Sequence, residues 1–137
     1  MTTSTTRQET ASMETGVHRG WLTAARILMG LSGAQLLVGA IYFLFFATPD
    51  EGGVVSAFDW FVAIWALVAA LGLLATSLAP FPARSTRLQA AWWVMGVHLL
   101  WALVKLLAYD EMPVSAIVVL VDLVILILLW RAGRARD

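Results

Sequence analysis

The 137-residue chain is 61% hydrophobic and only 13% charged, with a formal net charge of zero and a mean hydropathy of +0.83. Soluble domains average about 45–50% apolar and about 25% charged residues, so this composition excludes an ordinary water-soluble fold, and the balanced charge offers no basic surface for nucleic acid. With no cysteine, the chain has no disulfide, thiolate metal site or cysteine nucleophile, and no mark of its redox compartment.

Residues 1–20, MTTSTTRQETASMETGVHRG, are polar and Thr-rich. They read as a disordered polar tail and lack the early apolar run of a secretory signal. Four apolar segments come next, from Trp21 to Phe46, Ala57 to Ala79, Leu88 to Ala108 and Val114 to Trp130. Each has roughly the length an α-helix needs to cross about 30 Å of hydrocarbon. The ten-residue alternating strands of a membrane barrel are missing. The expected fold is therefore an all-α membrane protein: a four-transmembrane-helix, up-down-up-down bundle. Residues 21–131 form the transmembrane domain, and 132–137 a short basic tail.

The links agree. ATPDEGG (47–53), APFPARS (79–85) and YDEMP (109–113) carry the prolines and glycines that stop helices and set turns. Eight of the nine basic residues (Arg7, Arg19, Arg26, Arg84, Arg87, Arg131, Arg134 and Arg136) fall on one side of such a bundle. The first and third loops hold Asp50, Glu51, Asp110 and Glu111 instead. Basic loops remain cytoplasmic, so both termini are expected in the cytoplasm, with the protein in the plasma membrane. Arg26, near the inner end of the first helix, is expected to reach lipid headgroups. Trp21, Trp60, Trp92, Trp93, Trp101 and Trp130 read mainly as interfacial belts and packing.

Polar side chains inside the spans sort into two depths. Positions seven apart share a helix face about 10 Å apart along the axis, which relates His98 to Lys105 and Ser115 to Asp122. Gln35, His98 and Asp122 form an expected mid-membrane cluster; Tyr42, Asp59, Lys105 and Ser115 form an expected outer layer. Charge inside lipid is costly and seeks partners, so Asp122 is expected to pair with His98, and Asp59 with Lys105. These contacts either fix helix register or mark a site; the chain carries no catalytic signature that decides between them. Small residues on the second helix, Ala63, Ala66, Ala70 and Ser77, suit close helix packing.

The sequence GLSG (30–33) has the Gly-x-Ser-Gly shape of rhomboid intramembrane proteases, but those have a six-helix core, and in a membrane helix such a cluster ordinarily packs. Small four-helix multidrug transporters depend on a Glu in helix one, where this chain has Gln35. Neither a phosphate loop nor a metal or haem-attachment motif is present. RILMGLSGAQLLVGAIYFL (26–44), an Arg followed by a Gly-rich helix, resembles the opening of DoxX-like small four-helix membrane proteins. That resemblance implies the same four-helix fold and, for some members, company with redox or quinone-linked enzymes.

The residues leave three functional expectations. The first is a non-enzymatic accessory or assembly subunit of a larger membrane complex, redox-linked or otherwise, with other membrane subunits or further copies of itself as partners. The second is a small oligomeric channel or transporter moving protons or a small solute past Gln35, His98 and Asp122. The third is a haem- or quinone-binding membrane redox protein using His98. No cofactor is assigned.

Overall fold

The computed structural model describes residues 3–47, 50, 53–81, 83–109 and 112–134, with side chains from residue 20 onward. Four helices account for most of it: α1 (Thr3–Phe45), α2 (Ala57–Leu78), α3 (Arg84–Ala108) and α4 (Val114–Arg134). Within α1 the apolar span is Gly20–Phe45, and each of the four is long and apolar enough to cross a membrane. The chain is a four-helix multi-pass membrane bundle.

The first twenty residues depart from expectation, because the backbone is already helical from Thr3. The segment from Thr3 to Phe45 contains no proline, and extending a formed helix adds one hydrogen bond per residue without the cost of a new nucleus. Two further boundaries shift outward. α3 starts at Arg84 rather than Leu88, and α4 continues past Trp130 to Arg134; Arg84 ties these two extended ends together.

Helix α1 packs on α2 and α4, and α3 packs on the same two, giving a ring in chain order. Every tie joins an early part of one helix to a late part of its neighbour. The Arg26 guanidinium of α1 donates to the Ser77 carbonyl of α2 through Nε (3.0 Å) and Nη2 (2.8 Å), and Ser77 Oγ donates to the Arg26 carbonyl (2.8 Å). Arg84 Nη2 donates to the Ala132 carbonyl of α4 (2.9 Å), and Arg87 Nη2 to the Ala79 carbonyl after α2 (2.8 Å). Trp101 Nε1 of α3 donates to the Val62 carbonyl of α2 (3.1 Å). The topology is therefore up-down-up-down.

The arginine ties serve carbonyls that have no acceptor role within their own helix, since the last four C=O groups of a helix lack intrahelical partners. Arg26, expected among the headgroups, is held by α2 instead. The approach of the two helices brings it there. A Cβ built on Gly30 would lie 2.8 Å from Ser77 Oγ, and one on Gly33 would lie 3.0 Å from Leu73 Cβ and 3.1 Å from the Ala70 carbonyl. The GLSG sequence is thus the α1 side of a close helix crossing, where a side chain at Gly30 or Gly33 would crowd α2.

Along its axis the bundle is uneven. At the Arg-bearing end Met29, Leu73, Met95, Ile125 and Leu129 interlock around buried alanines and fill the interior. Lipid tails are as apolar as these side chains, so the layer holds by close van der Waals packing. Towards the Lys105 end the interior is hollow.

Candidate functional site

The hollow half is a cavity of about 730 Å³, bordered by all four helices and by residues 53–55. Its stripe on α1 is Ser32, Gln35, Leu36, Gly39, Ala40 and Phe43, the i, i+3, i+4, i+7 spacing of one helix face. Helix α2 contributes Asp59, Val62, Ala63 and Ala66, whose small side chains leave the space open. Helix α3 contributes His98, Trp101 and Lys105, then Tyr109 just past its end; α4 contributes Val114, Ile117, Val118 and Val121.

The walls on α2 and α3 are closed: Val62, Ala66 and His98 are 5%, 3% and 2% exposed. On the other side Gln35 is exposed, and Phe43, Val114 and Ile117 are 37%, 60% and 57% exposed. Among the helices the exposed lining therefore lies on α1 and α4, which is the cavity's lateral opening, with exposed Val55 at its outer end. Those helices meet firmly at the other end, where the Arg131 guanidinium lies over the Trp21 ring at 5.5 Å.

His98, at the cavity's inner end, meets Asp122 across α3 and α4; Asp122 does not itself border the cavity. His98 Nδ1 lies 2.9 Å from Asp122 Oδ1, and both side chains are essentially inaccessible. The imidazole stacks on Trp101 with centroids 5.8 Å apart and planes 13° apart. Trp101 is itself fixed by its bond to Val62. With Nδ1 committed to the carboxylate, Nε2 is the ring nitrogen left for the cavity. It accepts a hydrogen bond from the neutral ring's side and donates one from the imidazolium. Asp122 Oδ2 is buried with no hydrogen-bond partner among the described residues. Burial of such an oxygen without a partner is costly.

The structure thus brings together the expected pair, His98 with Asp122, and sets Gln35 in the same cavity wall. Ser32 joins them in the wall, with no hydrogen bond to His98.

The outer layer is only partly assembled. Asp59 does not take Lys105 as its partner. Its Oδ1 accepts from the Tyr109 hydroxyl (2.6 Å), and its Oδ2 accepts from the Ser56 N–H (2.9 Å) and Oγ (2.7 Å). Ser56 Oγ in turn accepts from the Asp59 N–H (3.1 Å), completing a capping box at the start of α2. The carboxylate is thereby engaged locally before a long side chain from α3 competes for it. The Lys105 ammonium lies over the Tyr109 ring at 4.5 Å and the Phe43 ring at 5.6 Å, so Tyr109 links the two charges.

Tyr42 lies outside the site, exposed, with its ring edge-on to Phe43. At about 100° of rotation per residue the neighbouring Phe43 takes the cavity position. Ser115 is buried on α4 but does not border the cavity. Sequence reasoning passes over Trp101 and Tyr109 as site residues, although they lie three and four positions after His98 and Lys105 and so share their face.

The described residues include no group of three His, Cys, Asp or Glu side chains able to hold a metal ion. A haem would find one axial nitrogen here, His98 Nε2. No family model matches the chain, and no curated protein and no solved structure shows significant similarity to it.

Proposed function

We propose that the protein is a small non-enzymatic membrane subunit that holds a lipophilic, hydrogen-bonding ligand within the bilayer for a larger membrane complex. The observation that carries this reading is the blind cavity: open sideways, closed at the Arg-bearing end, and furnished at its inner end with Gln35 and with His98, which Asp122 holds from behind. Its volume falls in the range of about 300–1,000 Å³ used for small ligands, and apolar walls with a few placed polar groups are the usual composition of such sites. The resemblance of residues 26–44 to DoxX-like proteins supports the accessory role. The arginine bias supports a plasma-membrane location with both termini in the cytoplasm.

The test is purification in mild detergent or native nanodiscs, then mass spectrometry of bound protein and of the solvent extract. The expected result is a partner subunit together with a lipophilic molecule approaching one per chain. The molecule should be absent from an Ala66→Phe variant that still purifies as a folded bundle. A preparation equally empty in both forms overturns the reading.

A second reading, passage of protons or a small solute past Gln35, His98 and Asp122, is favoured by the unpartnered Oδ2 of Asp122. It requires the packed layer of Met29, Met95 and Ile125 to open. Proton flux into liposomes, lost in Asp122→Asn and His98→Ala, would establish it; flux unchanged by both substitutions would remove the pair from any relay. Visible absorbance of the purified protein would point instead to a haem on His98.

A further inference from the structure

We infer that the cavity takes a lipid head-first: a neutral head bearing a hydroxyl or carbonyl oxygen lies against Gln35 and His98, and its apolar chain leaves between α1 and α4. This rests on the ligand-binding reading above and names the chemical class of the ligand.

The inner end of the cavity asks for a hydrogen-bonding group. The Gln35 amide offers both donors and an acceptor, and the Nε2 of His98 one valence of either kind. The described residues satisfy neither group. An acyl chain pressed into this end would leave both unsatisfied, a cost without compensation. That disfavours the ordinary lipid pose, with the head at Lys105 and the chain pointing inward.

The same end rejects an anionic head. If His98 is an imidazolium, its charge is already neutralised by the Asp122 carboxylate, 2.9 Å away. If it is neutral, the remaining charge is that of Asp122. Ser32 and Gln35 carry none. Lys105, the cation that borders the cavity, lies seven residues farther along α3, about 10 Å nearer the opposite end. A phosphate or carboxylate at this depth would meet no uncompensated positive charge and would be poorly tolerated in the membrane interior. A neutral oxygen is matched: a hydroxyl donates to neutral Nε2, and a carbonyl accepts from the Gln35 amide or from the imidazolium.

The walls suit the apolar chain behind such a head. Ala40, Ala63 and Ala66 keep the inner chamber wide, and the exposed Val114 and Ile117 line the mouth with apolar surface continuous with lipid.

The test is photoaffinity labelling of the intact protein in phosphatidylcholine nanodiscs. Two probes are used: a long-chain alcohol with a diazirine beside its hydroxyl, and the phosphate monoester of the same alcohol. The alcohol should crosslink saturably near Leu36 and Val121, with the phosphate ester absent from those positions. Gln35→Leu should weaken alcohol labelling about fivefold, the loss of one hydrogen bond. The comparison of the two probes on the unsubstituted protein does not depend on any variant folding. Alcohol crosslinks confined to Phe43 and Tyr109 would overturn the head-first pose, and equal labelling of the inner end by the phosphate ester would overturn the neutral head; in both cases the cavity reading stands. No saturable labelling of any cavity residue would overturn both.

Discussion

His98 Nδ1 and Asp122 Oδ1 lie 2.9 Å apart across the α3–α4 contact, with 2% and 0% of their side chains exposed. Two titratable groups held this way in a bundle of alanine, leucine and valine tie α3 to α4 at one register. A one-residue slip of either helix would turn one partner out of the interior by about 100°.

The energy of that tie is measurable by a double-mutant cycle on Asp122→Ala and His98→Ala, with unfolding in mixed micelles as the readout. Interhelical hydrogen bonds in membranes average about 0.6 kcal/mol and reach about 1.7 kcal/mol, whereas breaking a buried ion pair costs about 3–5 kcal/mol. A coupling energy above about 1.7 kcal/mol is expected, with Asp122→Asn milder than Asp122→Ala because it retains an acceptor. Additivity of the two substitutions within about 0.5 kcal/mol would show that the pair contributes nothing to folding.

The α1–α2 crossing gives a contrast between two glycines on one helix. A Cβ on Gly33 would meet Leu73, Leu74 and the Ala70 carbonyl at 3.0–3.1 Å, whereas one on Gly39 would meet nothing within 4 Å. Gly33→Ala should therefore cost about 1–3 kcal/mol through overpacking. Gly39→Ala should be neutral or slightly stabilising, since alanine is the better helix former by about 1 kcal/mol. Equal thermal midpoints for the two variants would contradict the closeness of the crossing.

At the Lys105 end, the Tyr109 hydroxyl rather than Lys105 holds Asp59. Tyr109→Phe should loosen the start of α2, seen as faster hydrogen exchange at Ser56 and Asp59 with the rest of the bundle unchanged. Asp59→Asn should loosen the same amides further, because it also weakens the Ser56 contacts at Oδ2, and adding Tyr109→Phe to it should change little. Exchange unaltered in Tyr109→Phe would mean the capping box alone fixes that end.

The cysteine-free chain allows a direct test of orientation. Val55→Cys and Ala83→Cys place single thiols at exposed positions on opposite ends of the bundle. In intact cells a membrane-impermeant maleimide should label Val55→Cys, and should reach Ala83→Cys only after permeabilisation, as arginine-rich loops remain inside. The reverse pattern would invert the topology.

Legibility in the sequence depended on the kind of signal. Four spans and the His98–Asp122 pair were legible, because membrane length and depth are counted along the chain and few partners exist at mid-depth for a buried acid. Gln35 was legible as a wall residue by the same count. Tyr42 was misplaced because one residue's rotation decides whether a side chain faces the cavity or the lipid, and spacing alone does not fix the centre of the face; Phe43 holds that centre. Asp59 was given the wrong partner because depth matching ignores local competition, and Ser56, three residues before it, claims the carboxylate first. The lateral opening was not legible at all. It depends on which helices leave the cavity uncovered, and no single residue announces that.

The packed layer of Met29, Leu73, Met95, Ile125 and Leu129 fills the bundle below the cavity. This divides the protein by leaflet. A molecule bound as proposed would exchange with the leaflet on the Lys105 side, so its occupancy would track the composition of that leaflet and be blind to the other.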